Sequence, residues 1–273
     1  MKVFFIYFVL LITFSNNAAN AQKGNPENLL KQLPDDVKLD KSVVRTYRMT
    51  TDYYDYDLKS NFLVKKRLTG FIIYSGDSAL WKDVYYAESK TLDAEFPRGV
   101  RMNFLHDFKY QPDGRVLTAD FFKNNLPEAD PLTMNLIWDA LGFDVLAYCC
   151  WDSLTLIEEF RATNMNSEFK LADIGTFENK DIRIAWLGIT EINGEICAVL
   201  KYSVMNNPLN IEFKNISMSG RSHYWGEIYV SLSDKQIEYA NLSEDVVHDT
   251  SFKGQANNIQ GYTVRTIKLS RIE

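Results

Sequence analysis

The chain has 273 residues, 46% of them hydrophobic and 14% aromatic, and a net charge of −6 at pH 7. That length and apolar content supply one substantial core or two small ones, and no low-complexity tract marks it as a disordered or solenoid chain. With 36 acidic residues interspersed among 30 basic ones, no basic face is available for nucleic acid or an anionic membrane surface.

Residues 1–21 read as a secretory signal. Lys2 is the positive start, Val3 to Phe14 the apolar run, and Ala19-Asn20-Ala21 the small-residue cleavage site. The mature chain is expected to begin at Gln22 and to be exported to a periplasmic or extracellular space. The apolar run is shorter than the roughly 20 residues a helix needs to cross a bilayer. No other segment is long and apolar enough, so no transmembrane segment is expected in the mature chain. Residues 22–42 form a polar N-terminal arm with Pro26, Pro34 and an apolar cluster of Leu29, Leu30 and Leu33.

From Val43 the pattern changes to strands. Val43 to Thr50 alternates and runs into an aromatic and acidic stretch, Asp52 to Asp57. Val64 to Tyr74 places Leu68, Gly70, Ile72 and Tyr74 on one face. It ends at Ser75-Gly76-Asp77-Ser78, from which Ala79 to Ala87 returns as the second arm of an antiparallel hairpin. Further strands are expected at Val100 to Phe108 and Val116 to Phe122, separated by Gln111-Pro112-Asp113-Gly114.

The texture turns helical at Asp130-Pro131, an N-cap followed by proline at the first helical position. Leu132, Leu136, Trp138 and Leu141 follow at helical spacing up to Gly142. Asp144 to Ala162 then carries Leu146, Cys149, Cys150, Leu154, Ile157 and Phe160. The spacing predicts a helical hairpin over residues 131–162, buried through Leu136, Trp138, Leu141, Leu146, Leu154 and Ile157. Strands return at Arg183 to Ile192 and Ile196 to Val204, joined by Asn193-Gly194, a strong hairpin signal. More are expected at Ile211 to Met218, Ser222 to Ser231, Gln236 to Leu242 and Tyr262 to Leu269.

The order of strands, helices and strands predicts an α+β fold over residues 22–273, read as a single domain. Its body is a mainly antiparallel, curved β-sheet that could form a half-barrel, with the central helical hairpin inserted. Gly188-Ile189-Thr190-Glu191-Ile192-Asn193-Gly194-Glu195-Ile196-Cys197-Ala198-Val199-Leu200, with Tyr224 to Ser231, resembles the closing hairpins of exported curved-sheet carriers of the lipoprotein-carrier type. That resemblance implies a half-barrel closed by helices around an apolar ligand. The central position of residues 131–162 departs from it.

Chemistry is sparsely marked. No nucleophile elbow, paired metal-ligand histidines, phosphate loop or dinucleotide fingerprint occurs, and no cofactor, metal or catalytic residue is assigned. Ser222 beside His223 reads as part of a polar turn, and His106-Asp107 and His248-Asp249 as locally satisfied pairs. Asp52, Asp55 and Asp57 interleaved with Tyr53, Tyr54 and Tyr56 suit either a sugar-binding surface or a charge-protected edge strand. The three cysteines leave two readings open: a bridge from Cys149 or Cys150 to Cys197, or three buried thiols. A vicinal bridge is disfavoured by geometry.

The aromatic surplus, with 17 Phe, 15 Tyr and 5 Trp, favours a non-enzymatic exported protein that holds an apolar or amphipathic ligand in the sheet's concavity. The expected contacts are Leu68, Ile72, Tyr74, Trp81 and Trp225. The partner is then a lipid-like small molecule. A structural or protein-interaction module of an envelope or secreted assembly is the alternative, and a secreted hydrolase with an unrecognised site is a third.

Overall fold

The computed structural model describes residues 38–254 and 258–272. The leader, the expected start at Gln22 and the Leu29 to Leu33 cluster lie outside the described residues. Among those residues, thirteen strands form one open antiparallel sheet that does not close into a barrel, with a bent helix inserted between strands.

The first meander contains β1 (Arg45–Asp57), β2 (Phe62–Ser75), β3 (Ser78–Ser89), β4 (Val100–Arg101) and β5 (Phe108–Tyr110). Helices α1 (Ala119–Asn125) and α2 (Pro131–Tyr148) follow, then β6 (Glu159–Arg161), β7 (Ser167–Lys170) and β8 (Gly175–Asn179). The second meander is β9 (Ile182–Ile192), β10 (Glu195–Phe213), β11 (Ile216–Ser231), β12 (Ile237–Phe252) and β13 (Ile259–Arg271). Side by side the strands run β4-β3-β2-β1-β13-β12-β11-β10-β8-β7, with β5 on β3 and β9 bridging β10 to β6. The two meanders therefore join where β1 pairs β13.

Turn chemistry sets the registers. Ser75 opposes Ser78 across Gly76-Asp77, with Gly76 at φ 59°. Ile192 opposes Glu195 across Asn193 and Gly194, both in the left-handed region at 53° and 80°, as a type I′ hairpin requires. The expected strand Ile211 to Met218 straddles a tight turn at Lys214-Asn215, with Ile211 to Phe213 ending β10 and Ile216 to Met218 opening β11. β10 runs on through Pro208 because a bulge shifts its register between Val204 and Asn207. The buried Asn207 amide holds that bulge, donating to the Val204 and Ser222 carbonyls and accepting from the Lys180 N–H.

Three expected elements are built differently. Val116 to Phe122 is helical: Asp113 caps a 3₁₀ turn over Gly114–Leu117, and the Thr118 hydroxyl accepts from the Phe121 N–H to start α1. Val100 to Phe108 is broken by a 3₁₀ turn and by Asp107 at φ 58°. The helical insertion stands where expected, but as one helix that passes through Gly142 and bends into a 3₁₀ turn at Trp151–Ser153. One interior glycine costs a helix only about 1 kcal/mol, whereas Asp, Ser and Thr, the types at 152, 153 and 155, favour caps and turns over helix interiors. Beyond them Phe160 pairs with Ile184, so sheet formation at the β9 edge takes over.

One sheet face packs against the helices. Its central row, read across the registers, is Leu68, Thr51, Ile267, Leu242, Gly226, Tyr202 and Ile184. α2 contributes Leu136, Ile137, Ala140, Phe143, Leu146 and Ala147 to the same core. Trp138, Leu141 and Leu154 are half-buried against it, and the Trp138 indole donates to the Val116 carbonyl at 2.8 Å. Ile157, expected in the core, is 77% exposed at φ 66° because its segment has left the helix.

Charge also ties α2 to the sheet. Arg265 on β13 reaches Asp139 of α2 at 2.8 Å and Glu244 of β12 at 2.5 Å, and its guanidinium lies 5.7 Å from the Tyr53 ring centroid. Glu244 also accepts from the buried Ser222 hydroxyl. A second buried cluster joins Arg45 to Glu238 and Asp234, with Arg271 on Glu238 at 2.9 Å.

Candidate functional site

Four of the five expected ligand contacts share the helix-covered face. Leu68, Ile72 and Trp81 have no exposed surface, Ile72 opposes Trp81 directly, and Tyr74 packs edge-on to Tyr47 at 5.7 Å. Trp225 stands apart on the outer face, 38% exposed between Ser203 and Ser243. The space above Ile72 and Trp81 is filled by helices and loops, as close packing favours.

A cleft of about 740 Å³ opens above the buried Leu68, with walls of Tyr86, Val100, Met102, Phe104 and Leu132. Arg101, Asn103, Glu128 and Asp130 line its polar side. Each wall has a local cause. Val100 and Arg101 pair with Tyr86 and Tyr85, and the Met102 N–H donates to the Val84 carbonyl, which draws this segment along β3. Gly99 permits the approach, since a Cβ there would stand 3.0 Å from that of Tyr85. Asp130 is occupied as the cap of α2, accepting from the Thr133 N–H and hydroxyl. Arg101 is occupied by Asp83 at 2.9 Å and by His106. Glu128 is left as the exposed charge of the rim. The volume falls within the roughly 300–1,000 Å³ of small-molecule sites, and the lining is amphipathic, with one apolar side and one polar side.

Beside Ile72 and Trp81 lies a polar feature that sequence reasoning missed. Asp144 of α2 interacts electrostatically with Tyr47, Tyr74, Tyr110 and Tyr148. The Tyr74 hydroxyl is buried without a hydrogen-bond partner, and the buried Tyr110 hydroxyl and Trp81 indole N–H face each other. Desolvation raises the Asp144 pKa to about 7, against a lowering by Lys41, and raises the Asp139 pKa to about 6 despite Arg265. Both lie above the ordinary carboxylate value of 3.8. The folded chain therefore binds these protons more tightly than the unfolded chain, and the stability they contribute is lost as pH rises through about 6 to 7. The melting temperature is expected to fall between pH 5 and pH 8. Asp144→Asn should flatten part of that fall, stabilising the fold at pH 8 by about 1–2 kcal/mol after allowance for the carboxylate's residual exposure. A profile identical to that of the parent would contradict this assignment.

The remaining sequence candidates resolve into local contacts. Ser222 donates to Glu244, while the His223 ring accepts from the Asn206 N–H at 3.0 Å, so the two do not pair. His106 contacts Asp107 at 3.3 Å, and His248 contacts Thr250 at 3.0 Å. β1 is an interior strand, which overturns the edge-strand reading of its acidic stretch. Asp52 forms a two-pronged pair with Arg67, Asp55 binds Lys66 and Thr263, and Asp57 caps the turn at Lys59 to Asn61. All three cysteines are free, with Cys150 and Cys197 buried and Cys149 exposed, so no bridge reaches Cys197. Among the described residues no three His, Cys, Asp or Glu side chains form a metal-binding group, and no helix is long and apolar enough to cross a membrane.

No protein-family model and no curated protein matches the chain. Among solved structures it is similar to lipovitellin, in a study of lipid–protein interactions, at 12% identity and a TM-score of 0.35. The match covers 86% of this chain and 26% of that one, so the chain spans about a quarter of lipovitellin's length.

Proposed function

We propose that this is an exported, non-enzymatic binding protein that holds an apolar or amphipathic small molecule in the cleft between β2, β3 and the start of α2. The observation that carries the reading is the cleft itself. Its apolar walls stay open at the edge of a face otherwise filled by the protein's own helices. Leu68 lies buried beneath the cleft, and Ile72, Tyr74 and Trp81 belong to the packed core behind it, so the contacts proposed here are Tyr86, Val100, Met102, Phe104 and Leu132. Trp225, on the outer face, lies outside this site. Export rests on the Lys2 to Ala21 pattern, with Gln22 as the mature N-terminus.

The site is tested by titrating a fluorescent acyl-chain probe into the purified protein. Phe104→Asp places a charge on the apolar wall and should weaken binding about tenfold or more, a difference of about 1.4 kcal/mol. Trp225→Ala should leave binding unchanged. Equal binding by Phe104→Asp and the parent, or a loss confined to Trp225→Ala, would contradict the assignment.

A further inference from the structure

Three sulfur atoms converge where α2 ends. The Cys149 and Cys150 Sγ atoms are 3.3 Å apart, and the Met165 Sδ lies 3.0 Å from the first and 3.6 Å from the second. The residues come from two segments separated in sequence, each held by its own backbone bonds. The Cys149 N–H donates to the Val145 carbonyl at the helix terminus. Met165 closes the 3₁₀ turn Thr163–Met165, whose leading residue Ala162 is buried and donates to Ile182 of β9. Cys150 is buried, Met165 half-buried and Cys149 exposed, so the cluster is rooted in the core and reachable from solvent.

We propose that Cys149, Cys150 and Met165 form a binding site for a soft monovalent metal ion, copper(I). Thiolate and thioether donors select copper(I), whereas a structural zinc site takes four ligands and draws on thiolate, imidazole and carboxylate. Separations of 3.0–3.6 Å place the sulfurs around one point, and a small outward movement of the side chains admits an ion. Binding involves no redox step: the ion enters as copper(I), and each thiol that coordinates it releases its proton to water. The backbone keeps the two thiols apart as ligands. Cys149 is helical at φ −60°, ψ −29°, and adjacent Cα atoms across a trans peptide are about 3.8 Å apart, below the roughly 4.4 Å minimum of ordinary disulfides. The site is independent of the proposed apolar cleft.

The test is an anaerobic titration of the reduced full chain with copper(I), supplied as its acetonitrile complex, in competition with bicinchoninate. One equivalent should bind, with ultraviolet thiolate-to-copper charge-transfer absorption. Cys149→Ser and Cys150→Ser should each abolish competition. Met165→Leu keeps the side-chain volume and should weaken affinity about tenfold or more with an unchanged melting temperature. Cys197→Ser should bind as the parent does. Parent-like affinity in Met165→Leu, loss of binding only in Cys197→Ser, or a Cys149–Cys150 disulfide in protein taken from its host would overturn the proposal.

Discussion

Replacing Arg265 with alanine is expected to destabilise the fold by about 3–5 kcal/mol at neutral pH, because it leaves buried charges without a partner. Arg265 pairs with both Asp139 and Glu244, and all three side chains are about nine-tenths buried. The substitution also unties α2 from β13 and removes the guanidinium beside Tyr53. The loss has a recognisable pH signature. Without Arg265 the buried Asp139 carboxylate, already raised to about 6, is relieved by protonation, so the deficit should shrink as pH falls from 7 to 5. Chemical denaturation at both pH values measures it. A loss below about 1 kcal/mol, of the size expected for an exposed pair, would mean that the network does not hold the helix.

Trp81→Ala is expected to cost about 3–5 kcal/mol, the range for truncating a large buried aromatic. Trp81 is wholly buried between Ile72 of β2 and Phe108 of β5, so its removal opens a cavity between the first meander and the loops that cover it. Trp81→Phe separates packing from polarity. The phenyl ring keeps much of the volume and gives up only the indole N–H, which faces the Tyr110 hydroxyl, so its cost should be well below that of alanine. Equal losses for the two variants, read from denaturant midpoints, would mean that this polar contact rather than packing dominates at Trp81.

The parts of the fold legible in the sequence were those with local causes. Gly76-Asp77 and Asn193-Gly194 mark their turns because the backbone there enters the left-handed region, and Asp130-Pro131 marks the start of α2 through the cap it makes. The second half of the predicted helical hairpin failed because pairing of Phe160 with Ile184 is non-local. α1 was missed because Val116 to Phe122 is apolar enough to read as a strand, whereas Asp113 and Thr118 cap helical turns there. The expected strand stops at Val204 because nothing in the sequence announces that Asn207 will absorb a bulge and carry β10 on through Pro208. The candidate site was legible in part. Leu68 and Ile72 follow from alternation, but Trp225 was assigned without knowing its face. Tyr86, Phe104 and Leu132 meet only after β3, the following loop and α2 have folded together. Asp144 likewise reads as one more polar position on a helix, and only assembly surrounds it with tyrosines from β1, β2 and β5.

The helices fill the sheet face and leave a cleft at its edge, which we propose holds a small molecule. Native mass spectrometry of the protein purified from its own host tests that occupancy most directly. The expected spectrum shows the chain with an adduct of lipid-like mass that is lost on collisional activation, and the adduct is absent from Phe104→Asp prepared in the same way. A bare chain mass from the parent, or an adduct retained equally by Phe104→Asp, would contradict it.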